Sequence, residues 1–153
     1  MVKKFWRRLI GYLKSGTTPE KLALAVALGV VVGILPVWGI STLLCFFLAP
    51  LLKINVAILQ MVNYAVYPLQ LALIYPFIKT GSYIFNINPL PYSSEQLINL
   101  FKIDFFFAIS EVGFAVILGV GVWAILSFPL FIFILVSSRI VFKRIAQKRQ
   151  REL

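Results

Sequence analysis

Pro36, Gly39, Ser41 and Thr42 stand close together in one long uncharged apolar run, and Asn63, Tyr67 and Pro68 stand in the next. Their types suit recognition of an anion better than bond-making. Proline removes a backbone N–H and disfavours helical geometry at the residue before it, here Leu35. Gly39 permits a turn that a residue with a Cβ resists. A helix that restarts after that turn, around Ile40 to Thr42, presents unpaired N–H groups and a positive dipole end to a phosphate or carboxylate. Ser41 and Thr42 add hydroxyl donors. Asn63 and Tyr67 are one helical turn apart and share a face, and Pro68 frees a carbonyl one turn back, near Tyr64. These residues are the candidate substrate-binding set. The alternative is that the amides and glycines only hold helices together.

No catalytic constellation competes with that set. The chain has no histidine. The acids Glu20, Glu95, Asp104, Glu111 and Glu152 fall mostly where interfaces are expected. No Walker loop, dinucleotide fingerprint or metal-ligand spacing occurs. Cys45 is the single cysteine, so neither a disulfide framework nor a zinc site can form, and it reads as a core packing residue. The expectation is a protein that is not an enzyme and carries no metal or cofactor.

The elements that position the candidate residues follow from the apolar runs. Leu22 to Leu52 carries no charge and as one helix would be about 46 Å long, against a hydrocarbon core of about 30 Å. Broken at Pro36–Gly39, it becomes a re-entrant hairpin with Trp38, Ser41 and Thr42 near its tip; left whole, it is a proline-kinked transmembrane helix. Irregular backbone at membrane depth must be buried in protein or line a wet cavity. Thr18, Pro19 and Glu20 predict the start of this segment, as N-cap, first helical residue and dipole partner. Ala25, Gly29 and Gly33 form a ridge that lets another helix approach closely. Pro50 and Lys53 mark a turn at the interface. Ile54 to Ile78 is the next span, with Asn55, Gln60, Asn63, Tyr64, Tyr67, Gln70 and Tyr75 in it and breaks at Pro68 and Pro76, and reads as a second discontinuous segment facing the first.

Lys79–Thr80–Gly81 is expected to leave the membrane, and Gly81 to Tyr92 to form an outer loop. Ser93 with Gln96 resembles a capping box for a helix running through Phe101, Lys102, Asp104 and Phe106. Val112 to Ser138 crosses with tilt or a kink near Ser127–Phe128–Pro129, with Glu111 near the outer interface or, if deeper, a functional candidate. Residues from Arg139 form a basic helical tail. Val2 to Leu13 is a basic amphipathic segment suited to lying in the interface. Ala23, Ala25 and Ala27 resemble a cleavage site, but the apolar run begins there, so no cleavable signal peptide is expected.

The bulk numbers agree. The 153 residues are 61% hydrophobic with mean hydropathy +0.95, which points to an integral membrane protein. The formal charge of +10 is concentrated at the ends: Lys3, Lys4, Arg7, Arg8, Lys14 and Lys21 before the first apolar run, and Arg139, Lys143, Arg144, Lys148, Arg149 and Arg151 at the close. Beside membrane segments this is the positive-inside pattern, so both termini are expected in the cytoplasm, with the basic residues near anionic head groups and no nucleic acid as partner. The fold class is all-α: a re-entrant or proline-broken hairpin, about two transmembrane helices, and amphipathic interfacial helices. All of residues 1–153 read as one membrane domain, divided into a basic segment (1–18), a core with broken helices (19–85), an outer loop with the later helices (86–138) and a basic tail (139–153).

From Pro19 to Phe85 the chain resembles the bacterial membrane family called domain of unknown function 2062. The likeness rests on Pro19, Gly29, Gly33, Pro36, Gly39, Asn55, Asn63, Pro68 and Tyr75. They match a proline-containing helix start, a Gly-x-x-x-Gly stretch, a Pro-x-x-Gly turn, an asparagine after a short apolar run, and an Asn-Pro motif before a tyrosine. Here Asn63 is followed by Tyr64, and proline comes at Pro68. The resemblance implies a multi-pass protein of the bacterial inner membrane but no established activity; relatives fused to glycosyltransferase domains imply a link to lipid-linked sugars.

Two functions follow as expectations. One is a small transporter or flippase-like protein for an anionic lipid or small metabolite, built on paired broken helices. The other is a non-transporting scaffold or accessory subunit. A chain this small is expected to form a homo-oligomer or take a membrane partner before it encloses a pathway.

Overall fold

Thr18 opens the first helix by local chemistry. Its backbone is extended, and its Oγ1 accepts the Lys21 N–H at 3.3 Å, with Pro19 in the first helical turn. In the computed structural model, which describes residues 11, 17–37, 39–86, 99 and 102–150, this helix is α1 (Pro19–Gly33). It is followed by α2 (Ile40–Leu51), α3 (Val56–Ala65), α4 (Tyr67–Phe85) and α5 (Phe105–Gln150). The described residues contain no strand. The interfacial segment expected over 2–13, apart from Gly11, and Trp38 and the Ser93–Gln96 capping box lie outside the described residues.

The break after α1 falls where proline and glycine put it. Ile34 and Leu35 close α1 by donating to Val30 O and Val32 O, and Val37 then donates back to Leu35 O at 2.7 Å. Gly39 caps α2 at φ +78°, a conformation that costs any residue with a Cβ. The far end of α2 closes in a Schellman motif: Ile54 N–H reaches Ala49 O at 2.9 Å and Lys53 N–H reaches Pro50 O at 3.1 Å. Lys53 supplies the left-handed residue at φ 54°, a place glycine usually takes. Asn55 then caps α3, its Oδ1 accepting from Ala57 and Ile58 N–H at 2.8 and 3.3 Å.

Helices α3 and α4 meet at Val66 with a bend of 58°. Pro68 in the first turn of α4 cannot donate to Tyr64 O, which is the expected cause of a break there. Beyond Pro68 the sequence reading needs correction. Lys79, Thr80 and Gly81 do not leave the helix, and Gly81 does not open a loop; α4 continues to Phe85 and ends at Asn86, in the left-handed region at φ 53°. Gly81 is buried and serves close packing, because a Cβ there would lie 2.6 Å from Leu118 O on α5. A second correction concerns Asp104, which is not within a helix. Its Oδ1 accepts the Phe107 N–H at 3.0 Å and so starts α5. From Phe105, α5 runs unbroken for 46 residues with Pro129 inside it, about 69 Å of helix.

Two apolar clusters organise the packing. The first joins Leu22 and Ala25 of α1, Cys45 and Ala49 of α2, Ile54, Ile58 and Leu59 leading into α3, and Phe142 of α5. The first turn of α1 and the last turn of α2 share it, so the chain has doubled back between them. The second cluster joins Ile34, Phe77 and Val122, with Val66, Trp123 and Leu130 packed around them. The Ala25–Gly29–Gly33 ridge faces α3: a Cβ on Gly29 would lie 2.7 Å from Val62 Cβ, and one on Gly33 2.5 Å from Val66 Cγ2. Among the described residues one helix is long and apolar enough to cross a membrane, Val112–Lys148, or two if the bent pair α3 and α4 counts as one span. Most of that window is exposed, unlike the core helix of a soluble protein.

Candidate functional site

A helix that stops leaves carbonyls without their donors. At the α1–α2 break those donors come from distant side chains. Trp123 Nε1 donates to Val31 O at 2.9 Å. Gln70, only 1% exposed, donates through Nε2 to Leu35 O at 2.6 Å and to Val37 O at 3.4 Å. One turn into α2, Gln60 Nε2 donates to Thr42 O at 2.9 Å, and Asn63 Nδ2 donates to Gln60 Oε1 at 3.4 Å. The second broken segment therefore reaches the first through an amide at each side of its own bend.

The candidate residues divide under this geometry. Thr42 and Asn63 are linked through Gln60. Pro36 and Ser41 are buried, and Pro36 also packs toward α5, its Cγ 3.6 Å from where a Gly119 Cβ would be. Gly39 is exposed at the open N-terminus of α2, which has no side-chain cap. Asn63 is 4% exposed, and its Oδ1 is buried with no hydrogen-bond partner. Tyr67 and Pro68 are exposed. The amides that bridge the segments, Gln60 and Gln70, are absent from the candidate set, as is Trp123. The glutamines had a usable signal: each lies three residues from a candidate, Gln60 before Asn63 and Gln70 after Tyr67. Trp123 had none, because its partner is 92 positions away.

The basic candidates gather at one end as far as they are described. Arg139, Lys143, Arg144 and Lys148 are exposed on the last turns of α5. Lys143 Nζ lies 3.3 Å from Glu20 Oε1, which ties this tail to the first turn of α1, and Lys21 follows directly. A backbone N–H at Glu20 and the Lys143 ammonium hold the Glu20 carboxyl below its ordinary value. Lys3, Lys4, Arg7, Arg8, Arg151 and the Arg149 side chain lie outside the described residues. Among the described residues no three of Cys, Asp and Glu are grouped as a metal ion would need.

No curated protein and no solved structure matches the chain. A family model does, over residues 3–151, well beyond the Pro19–Phe85 stretch that carries the sequence motifs. Its description is an uncharacterized protein conserved in bacteria. With nearly the whole chain covered, helix breaks and basic tail included, this protein belongs to the bacterial family of domain of unknown function 2062.

Proposed function

We propose that this is a multi-pass protein of the bacterial inner membrane with both termini in the cytoplasm, and that it moves an anionic lipid or small metabolite as a small transporter or flippase-like protein. The observation that carries the reading is the pairing of two broken helical segments, with Gln70 on Leu35 O and Gln60 on Thr42 O. Broken helices paired near the midplane are how many transporters build a binding site. The open start of α2 at Gly39–Thr42 offers N–H donors and a positive dipole end to an anionic group. The doubled-back pair α1–α2 reads as the re-entrant hairpin, and the bent pair α3–α4 with α5 as the crossings. Exposed Phe46, Phe47, Leu51, Phe128 and Phe133 support a lipid-facing exterior. A chain of this size acts as a homo-oligomer or with a membrane partner, and its basic ends rest on anionic head groups.

The second reading is a scaffold or accessory subunit. The direct bonds from Gln60 and Gln70 to backbone favour it, because they show amides already used as interhelical glue. Reconstitution separates the two. Proteoliposomes of the full chain should take up a phosphorylated solute or flip a labelled anionic lipid, and Thr42→Val or Asn63→Ala should abolish this at near-normal folded protein levels. No movement of any anionic probe, or loss of activity only in proportion to loss of protein, supports the scaffold.

A further inference from the structure

One amide relay has its donor directions dictated by a backbone carbonyl. Thr42 O only accepts, so the Gln60 group 2.9 Å from it is the Nε2 donor. Gln60 Oε1 is thereby turned toward Asn63, and the Asn63 group 3.4 Å from it must be Nδ2. Flipping Asn63 alone would set two oxygens against each other. Flipping both amides would aim Gln60 Oε1 at Thr42 O. What remains is Asn63 Oδ1, an acceptor on a residue 96% buried, with no donor. Buried polar atoms are rarely left so, and each such case calls for a cause.

Its position narrows the cause. A Cβ on Gly33 would lie 3.1 Å from Asn63 Oδ1 and 2.5 Å from Val66 Cγ2. Gly33 ends α1 at the first break, and Val66 is the bend between α3 and α4, so the oxygen lies where the two breaks meet. Val31 O, Leu35 O and Val37 O nearby have all been given donors by Trp123 and Gln70. Among the described residues Asn63 Oδ1 is the buried side-chain atom left without one.

We propose that Asn63 Oδ1 is a ligand-recognition acceptor of the paired breaks, taking an O–H or N–H of a small phosphate-bearing ligand. This rests on the transport reading and deepens it: the substrate carries a hydrogen-bond donor beside its anionic group. Gly33 and Val66 close over the oxygen in the packed arrangement, so the donor enters as α1 parts from α3 about the Val66 bend. A quaternary ammonium, which has no N–H, leaves the oxygen unmet and is rejected on that ground.

Ethanolamine and choline phosphates test this, since they share the phosphate and differ in the N–H donor. The full chain in nanodiscs is offered phosphatidylethanolamine against phosphatidylcholine, and separately free phosphoethanolamine against phosphocholine, with bound ligand read by native mass spectrometry. The expected result is a preference of about tenfold for the ethanolamine form, the size of one charge-assisted hydrogen bond. The arm that shows it identifies a head group or a free metabolite as the source. Asn63→Leu should bring the ratio to about one. Asn63→Asp, whose neutral form can donate to Gln60 and still offer an oxygen, should retain it. Phosphate ligands bound by the unmodified chain without discrimination, or with discrimination that Asn63→Leu leaves intact, overturn the proposal alone. If no phosphate ligand binds in either arm, this proposal is overturned, while the transport reading stands or falls separately on uptake of the anionic probes in proteoliposomes.

Discussion

Gln70 Nε2 donates to Leu35 O at 2.6 Å, so an amide on α4 supplies a bond that the end of α1 leaves unmade. In an unbroken helix Leu35 O would receive the Gly39 N–H, and Val37 O the Ser41 N–H. Gln70 reaches both carbonyls. Leu35 O keeps the Val37 N–H at 2.7 Å when Gln70 is removed, so Gln70→Leu should destabilise the fold by about 1 kcal/mol, the net worth of one hydrogen bond. Thermal unfolding in a fixed detergent reads it; a melting point within error of the unmodified protein would remove Gln70 from its role.

Gly81 and Gly113 are both helical glycines with opposite surroundings. A Cβ on Gly81 meets Leu118 O at 2.6 Å, whereas one on Gly113 has open space. Gly81→Ala must push α4 from α5 and should cost about 1–3 kcal/mol. Gly113→Ala should be neutral or stabilising by up to about 1 kcal/mol through helix propensity. Equal effects of the two changes would contradict the α4–α5 contact.

Lys53 holds a left-handed conformation at φ 54° in an exposed turn. Glycine adopts it without the Cβ penalty, so Lys53→Gly should raise stability by about 1 kcal/mol. The gain should show as slower unfolding in denaturant titrations. A loss of stability would mean that Lys53 has contacts outweighing its backbone strain.

The Glu20–Lys143 pair makes a pH-dependent link between α1 and α5. The Glu20 carboxyl is held below its ordinary value, so its contribution is present above the unfolded-state value and is lost as pH falls through the folded one. Glu20→Gln should thus be slightly less stable than the unmodified protein at neutral pH and equal to it in acid. High salt should shrink the difference, since both groups are about half exposed. A gap that widens in acid would reverse the assignment.

Topology is open to single-cysteine labelling in a Cys45→Ala background. A cysteine at Lys53 or Lys148 should react from the cytoplasmic side, and one at Asn86 from the outside, because positive charge flanks the first two positions. Reaction of position 53 only from outside would rule out the re-entrant hairpin.

The amino-acid sequence by itself determined where helices must start and fail. Thr18 and Pro19 act on their own first turn, and Pro36 with Gly39 breaks the helix because the missing N–H and the permitted positive φ are properties of those residues alone. The break near Pro68 was legible for the same reason. Position 81 was not: glycine reads as an exit until Leu118 O is known to lie against it, and only tertiary packing supplies that neighbour. Asp104 likewise reads as one more helical residue until its carboxylate is found on the Phe107 N–H. The candidate site shows the same division. Asn63 and Thr42 were visible as polar groups in apolar runs, but their link through Gln60, and the donation of Gln70 to Leu35 O, join positions 18 and 35 residues apart. Hydrogen-bond partners at such separations depend on how α1, α3 and α4 pack, and that is decided by the glycine ridge meeting Val62 and Val66 in three dimensions.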